Sequence, residues 1–141
     1  MAKRYSVTEE EYKQIVHQLQ ETLRGEENIA FAYLHGSFVE KRNFADLDIA
    51  VFLHKVPESN IVFYELALEH SLGKIFPYPV EVRILNNAPP SFCYLVLKKG
   101  IILVDNNEDA RVDFAVQTYR RYFDFLPFRR RYLKEALSGE I

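Results

Sequence analysis

The 141-residue sequence contains a single cysteine, no tryptophan, and only five glycines and six prolines. Cys93 alone cannot form an intramolecular disulfide, which excludes a disulfide-stapled scaffold. No apolar run is long enough to span a bilayer, and the first residues lack the apolar centre of a secretory signal. We therefore expect a cytoplasmic protein without a membrane anchor.

The sequence also lacks an excess of charge of either sign. Eighteen basic and twenty acidic residues give a formal net charge of −2, which provides no general attraction to nucleic acid. Positive charge is concentrated late in the chain, where it forms either a solvated helix face or a docking site for an acidic partner. These arginines are Arg120, Arg121, Arg129, Arg130 and Arg131.

No internal repeat and no Gly/Ser-rich linker divides the chain, so we expect one domain over residues 1–141. A first helix is predicted at Thr8, because Glu11 completes a capping box. Apolar runs at 29–35 and 46–53 predict two strands. Pro57 suits the first turn of a second helix, and the alternating segment 80–85 predicts a third strand.

The C-terminal part predicts further helices. Pro89 and Pro90 open a helix with Phe92, Leu95 and Val96 on one side, and residues 101–104 form a fourth strand. From residue 108 to 126 apolar residues keep a helical spacing, and Pro127 interrupts before a last segment that ends near residue 137. The apolar positions are Val112, Val116, Tyr119, Phe123 and Leu126.

The predicted order α-β-β-α-β-α-β-α indicates an α/β (α+β) fold, with a small mixed β-sheet flanked by helices. We place the core at about residues 8–104 and the C-terminal helices at about 107–138. The aromatic residues of the last helices exceed what one helix face can bury, so some are expected either in the core or at a homo- or hetero-oligomer interface.

The residues with a recognisable chemistry follow the first predicted strand. Gly36 lets the backbone approach an anion closely, and Ser37 can donate a hydrogen bond to a phosphate oxygen. Asp46 and Asp48 are two apart on the next strand, so their carboxylates share one face and suit Mg²⁺. Taken singly, each motif is also compatible with an ordinary turn and a solvated strand edge.

Glu81 lies on the polar face of the third strand, where it can complete a two-metal site and accept a proton from an attacking hydroxyl. Arg83 follows on the same face and can instead pair with Glu81 in a simple salt bridge. His35 precedes Gly36 and is either a nucleotide contact or a packed structural residue. These alternatives stay open at the level of sequence.

Gly36-Ser37, Asp46-x-Asp48 and a later carboxylate together resemble the signature of the minimal nucleotidyltransferases (MNT) of the DNA polymerase β superfamily. The segments 80–90 and 96–103 and the Tyr- and Phe-rich last helices are similar to the downstream half of these proteins. The chain departs from the family pattern in two ways. The loop from Phe38 to Ala45 is short and lacks an Arg-Gly pair, and Glu81 stands where aspartate is usual.

The resemblance implies a polymerase β-like fold and an MntA-like antitoxin of a HEPN–MNT toxin–antitoxin pair. Such a protein would transfer AMP from ATP to a tyrosine of its HEPN partner. Gly36 and Ser37 would bind the nucleotide, and Asp46, Asp48 and Glu81 would be catalytic and bind Mg²⁺ or Mn²⁺. Two alternatives remain: an antitoxin that acts by binding alone, and a nucleotidyltransferase acting on a small molecule.

Overall fold

The structure, a computed structural model, describes residues 3–58 and 60–138, except for the side chains of residues 125, 128, 129 and 138. The helices are α1 (Glu9–Arg24), α2 (Ser37–Lys41), α3 (Ile61–Gly73), α4 (Pro90–Lys99) and α5 (Glu108–Ser138). The strands are β1 (Tyr5–Ser6), β2 (Ile29–His35), β3 (Asn43–Phe44), β4 (Leu47–Leu53), β5 (Val80–Ile84) and β6 (Ile101–Asp105).

The main sheet has the strand order β5-β4-β2-β6. Strand β2 is antiparallel to both β4 and β6, whereas β4 and β5 are parallel. The predicted small mixed sheet flanked by helices is therefore confirmed. Strands β2 and β4 are central and covered on both faces, which explains why their sequences are nearly continuous apolar runs rather than alternating ones.

One face of the sheet packs against α1 and α3. Helix α1 begins with the predicted capping box, in which the Thr8 hydroxyl accepts a hydrogen bond from the Glu11 amide and the Glu11 carboxylate accepts one from the Thr8 amide. These two bonds satisfy amides that the first turn leaves free. The helix then buries Ile15, Leu19 and Leu23 against the sheet.

The predicted start of α3 at Pro57 is wrong, because the helix begins at Ile61. Asn60 caps it by accepting a hydrogen bond from the Phe63 amide at 3.0 Å. A proline provides a backbone angle that is compatible with a helix start, but an asparagine side chain also satisfies a free amide of the first turn. The start of α3 therefore follows the Asn60 cap rather than Pro57. The inward residues Leu68 and Leu72 are buried as predicted.

The other face of the sheet packs against α4 and α5. On this side Phe31 and Tyr33 of β2 meet Cys93 and Val96 of α4 and Phe114 of α5. Of the residues predicted on one side of α4, Val96 is buried whereas Leu95 is 51% exposed. Cys93 is also buried, which raises the pKa of its thiol to about 11.

Helix α5 differs from the prediction in two respects. It continues through Pro127, which removes one backbone hydrogen bond without ending the helix. It also turns a different face to the sheet: Phe114 and Thr118 are buried, whereas four of the five predicted apolar positions are 39–54% exposed. The exposed positions, which we call the α5 stripe, are Val112, Val116, Tyr119 and Phe123.

The outer edge of the sheet is held by two glutamates of α3. The Glu69 carboxylate accepts a hydrogen bond from the Val82 amide at 2.8 Å, and Glu65 accepts one from the Ile84 amide at 2.9 Å. Such bonds satisfy the outward amides of an edge strand and fix β5 against α3. Among the described residues, no helix is both long and apolar enough to cross a membrane.

Candidate functional site

The turn after β2 is built around Gly36. Its φ of 84° and ψ of −163° lie in a region that side chains with a Cβ avoid. A Cβ at this position would also collide with the Asp48 carboxylate. The carbonyl of Gly36 accepts hydrogen bonds from the amides of Val39 and Glu40, so α2 begins directly at Ser37. Glycine is therefore required both by the turn and by the neighbouring carboxylate.

Helix α2 and strand β3 occupy the segment that the sequence indicated only as a shortened loop. Phe38 is fully buried and stacks on Tyr12 with ring centroids 4.8 Å apart. Arg42 ends α2 with a φ of 58°, lies 3.3 Å from the centre of the Tyr12 ring, and donates a hydrogen bond to the Val39 carbonyl. Strand β3 then pairs with β1. These contacts fix the turn that carries Gly36 and Ser37.

Strand register brings the predicted acidic residues together. His35 of β2 lies opposite Asp48 of β4, and Asp48 lies beside Glu81 of β5. Residues in register point to the same face of a sheet, and Asp46 precedes β4 by one residue. One carboxylate oxygen each of Asp46, Asp48 and Glu81 lies within 4.8 Å of the others. Oxygen ligands at this spacing suit a hard divalent cation.

Burial and neighbouring like charges alter the acidity of Asp48 in this cluster. The pKa of Asp48 rises to about 8, chiefly because of burial and then because of the neighbouring carboxylates of Asp46 and Glu81. A carboxyl group with such a pKa holds its proton at neutral pH unless a cation replaces it. A divalent cation bound here would displace that proton, because it stabilises the ionised carboxylates.

Glu81 is the most exposed of the three carboxylates. Arg83 lies on the same strand face, and its guanidinium nitrogen is 3.9 Å from a Glu81 oxygen. Both side chains are 49% exposed, so solvent weakens this ion pair. Arg83 also lies over the Phe92 ring at 5.2 Å. The pairing that the sequence suggested is present, and it leaves Glu81 facing the two aspartates.

His35 lies at the end of β2 beside Gly36. Its Nε2 is buried and has no hydrogen-bond partner among the described residues, and its ring meets Phe92 edge to face at 5.5 Å. Burial, together with the nearby Arg83, lowers the pKa of His35. The imidazole is therefore neutral near pH 7. Two other residues beside Gly36, Glu40 and Lys99, carry no sequence signal, because only the fold brings α2 and α4 together.

Comparison with protein families identifies this arrangement. Residues 17–109 match the model of the polymerase beta nucleotidyltransferase family, and this segment contains Gly36, Ser37 and all three carboxylates. The chain belongs to the polymerase β nucleotidyltransferase family. A search of curated protein sequences gives no significant match. The predicted superfamily is thus confirmed.

Solved structures show the same fold for this nucleotidyltransferase. One is the complex of a tri-AMPylated Shewanella oneidensis HEPN toxin with MNT antitoxin; it has a TM-score of 0.69 and 20% identity, covering 89% of this chain and 98% of that one. A second is a toxin–antitoxin complex with AMP-PNP, with a TM-score of 0.67 and 20% identity over 92% and 99% of the two chains.

A third similar structure is an MntA toxin–antitoxin complex with a pair of aspartate-to-glutamate substitutions two positions apart. Its TM-score is 0.69 at 20% identity, covering 89% of this chain and 98% of that one. The near-complete coverage on both sides means that the likeness extends beyond the family segment into α5. The fold of this nucleotidyltransferase is therefore that of the MNT proteins.

Proposed function

We propose that this protein is an antitoxin that transfers AMP from ATP to a tyrosine hydroxyl of a HEPN-type partner. The observation that carries the proposal is the cluster of Asp46, Asp48 and Glu81 beside the Gly36 turn, inside the family segment. Two of the similar structures support the substrate and the acceptor, since one contains AMP-PNP and another an AMPylated HEPN toxin.

The three carboxylates fit a divalent cation, and we propose Mg²⁺. Their donor set consists of oxygen alone, which favours hard cations over soft metals. The raised pKa of Asp48 reflects the repulsion among these carboxylates as well as burial. Bound there, Mg²⁺ would neutralise the carboxylates together with part of the triphosphate charge.

The residues of the chain then have separate tasks. Ser37 and the adjacent backbone amides hold the phosphates, and Gly36 allows the close approach. The acceptor hydroxyl oxygen forms a bond to the α-phosphorus while the bond from that phosphorus to the bridging β-phosphate oxygen breaks. Pyrophosphate leaves, and the hydroxyl proton passes to the Glu81 carboxylate. The product is an AMP–tyrosine phosphodiester.

Partner binding needs a surface, and we assign it to the α5 stripe. Val112, Val116, Tyr119 and Phe123 recur at helical spacing and remain exposed after the sheet and α4 are packed. Exposed apolar residues aligned along a helix are typical of helix-in-groove recognition. We take the occupant to be the HEPN-type partner, because the similar chains are found in HEPN complexes. Self-association is tested as the other outcome.

A second candidate function is an antitoxin that neutralises its partner by binding alone. The contact between Arg83 and Glu81 favours it, since an arginine beside the third carboxylate weakens metal binding there. The two functions differ in one property. Both require the α5 stripe, but only the transferase requires the carboxylates.

The test uses ATP labelled on either the α- or the γ-phosphate, mixed with the copurified partner and Mg²⁺. Nucleotidyl transfer labels the partner only from α-labelled ATP, whereas phosphoryl transfer labels it only from γ-labelled ATP. The control is Asp46→Asn/Asp48→Asn protein, which should give no label. Stable partner binding without any label would support the second candidate and refute the transferase.

A further inference from the structure

A cavity of about 220 Å³ adjoins the Gly36 turn. It lies between the end of β2, helix α2 and helix α4, and His35, Gly36, Glu40 and Lys99 are among its walls. The cavity and the turn thus share Gly36. A ligand held at the turn would therefore adjoin this space.

Glu40 gives the cavity an unexpected charge for a phosphate site. Ser37 and Glu40 are three residues apart on α2, so their side chains are neighbours on one side of the helix. A phosphate bound by Ser37 would face the Glu40 carboxylate, and like charges at such distances repel each other. A cation is needed here if the turn is to bind a polyphosphate.

Lys99 provides that cation from α4. Its Nζ is 3.6 Å from a Glu40 oxygen, and the two side chains are 53% and 42% exposed. The ammonium group of Lys99 offsets the charge of Glu40. Because solvent weakens this exposed ion pair, the ammonium group can also reach a second anion. Two other nearby cations are engaged elsewhere: Arg42 packs on Tyr12, and Arg83 pairs with Glu81.

The position of Lys99 is fixed by its neighbour Gly100. A Cβ at Gly100 would lie 2.6 Å from the Val96 carbonyl oxygen and 3.1 Å from that of Leu34. This close approach holds the end of α4 against the end of β2. Glycine at position 100 therefore permits the end of α4, which carries Lys99, to lie close to the end of β2.

Within the part of the chain that the structure describes, His35 leaves a polar atom without a partner next to the cavity. His35 lines the cavity, and its Nε2 is buried and lacks a hydrogen-bond partner among the described residues. Buried polar atoms are almost always hydrogen-bonded in folded proteins, and an exception calls for an explanation. A phosphate or ribose oxygen would satisfy this nitrogen once a turn of the imidazole ring exposes it to the cavity.

We propose that Lys99 is a further binding residue for the β- and γ-phosphates of the nucleotide, with Glu40 as its positioning group. The proposal rests on the proposed function, because it assumes a nucleoside triphosphate at the Gly36 turn. It assigns to α4 a cation for the phosphates, where the segment after Gly36-Ser37 lacks the Arg-Gly pair that is usual in the family.

The test compares Lys99→Ala with the matched variant Lys98→Ala, which removes the same charge from the same helix outside the cavity. Calorimetry of the full chain measures the affinity for ATP, inorganic triphosphate and AMP in Mg²⁺. Loss of a charge-assisted contact predicts that Lys99→Ala weakens ATP and triphosphate binding roughly 10- to 100-fold, and AMP binding less than about twofold. Lys98→Ala should bind like wild type.

Charge relocation makes the test stricter. In Glu40→Arg/Lys99→Ala protein the cation comes from α2 instead of α4, so triphosphate binding should recover. Equal affinities of Lys99→Ala and Lys98→Ala, or an equal loss of AMP and ATP binding, would overturn the proposal. If wild type labels its partner while Lys99→Ala binds ATP normally, only this inference fails; if wild type neither binds ATP nor labels its partner, the proposed function fails.

Discussion

Replacing Asp48 by asparagine should stabilise the metal-free protein at alkaline pH while abolishing transfer. The pKa of folded Asp48 is about 8, against an ordinary value of 3.8. Between these two values the folded chain holds a proton that the unfolded chain has lost, so stability falls as pH rises through this window. Above about pH 8 the folded protein bears the full cost of the charged carboxylate. The Asp48→Asn variant never bears that cost.

The magnitude follows from the pKa. Taken at full value, a rise from 3.8 to about 8 corresponds to about 6 kcal/mol. Asp48 is only partly buried, and solvent screening reduces this to roughly 2 kcal/mol. The asparagine amide can also donate hydrogen bonds to Asp46 and Glu81, where a third carboxylate would repel them. For a chain of this length, the melting temperature at about pH 9 should rise by roughly 4–8 °C.

The assay is thermal unfolding of wild type and Asp48→Asn protein at about pH 4 and about pH 9, with and without Mg²⁺. The exposed Asp124→Asn variant is the control for loss of one negative charge. The variant should gain stability only at high pH, and Mg²⁺ should stabilise wild type but not the variant. A variant that is less stable than wild type at about pH 9 without Mg²⁺, or equally shifted at both pH values, would refute the reasoning.

Three further changes test other parts of the structure. Gly36→Ala introduces a Cβ that collides with the neighbouring aspartate, so this variant should have a melting temperature several degrees below that of Gly73→Ala. A Cβ at Gly73 would meet nothing within 4 Å, and equal melting temperatures of the two variants would contradict the clash. Thr8→Ala removes the capping box of α1 and should lower the free energy of unfolding, measured by urea titration, by about 1 kcal/mol. An unchanged free energy of unfolding would mean that the cap does not stabilise the fold. Val116→Asp/Tyr119→Asp should weaken binding of the partner at least about tenfold in a pull-down titration without changing the affinity for ATP. Unchanged partner binding, or the loss of a homodimer instead, would refute the proposal that the α5 stripe binds the HEPN-type partner.

Local signals predicted the elements that position the site. The capping box at Thr8 and the alternation of β5 depend on neighbouring residues alone, so they can be read directly from the sequence. The carboxylates of Asp46 and Asp48 are two apart on one strand, which predicts their shared face without knowledge of the fold. Their closeness to Glu81 follows from the parallel pairing of β4 and β5, for which the sequence held only the family resemblance.

Non-local contacts account for what the sequence did not predict. Helix α5 has an apolar stripe and a face with Phe114, and spacing alone does not decide which of them meets the sheet. The packed face combines an aromatic ring with the small residues Ala110 and Thr118, which allows closer approach. The short β1–β3 pair and the Lys99–Glu40 contact join distant parts of the chain and leave no local pattern. The single-domain assignment of residues 1–141 stays a prediction.

The most direct test of the central claim is the intact mass of the partner that copurifies with this chain, measured before and after Mg²⁺ and ATP are added. The account predicts that the partner gains whole AMP units with wild type and none with Asp46→Asn/Asp48→Asn protein, although both bind it. A partner that stays bound to wild type without gaining mass, or that gains AMP equally with the double variant, would contradict the role of the carboxylate cluster in nucleotidyl transfer.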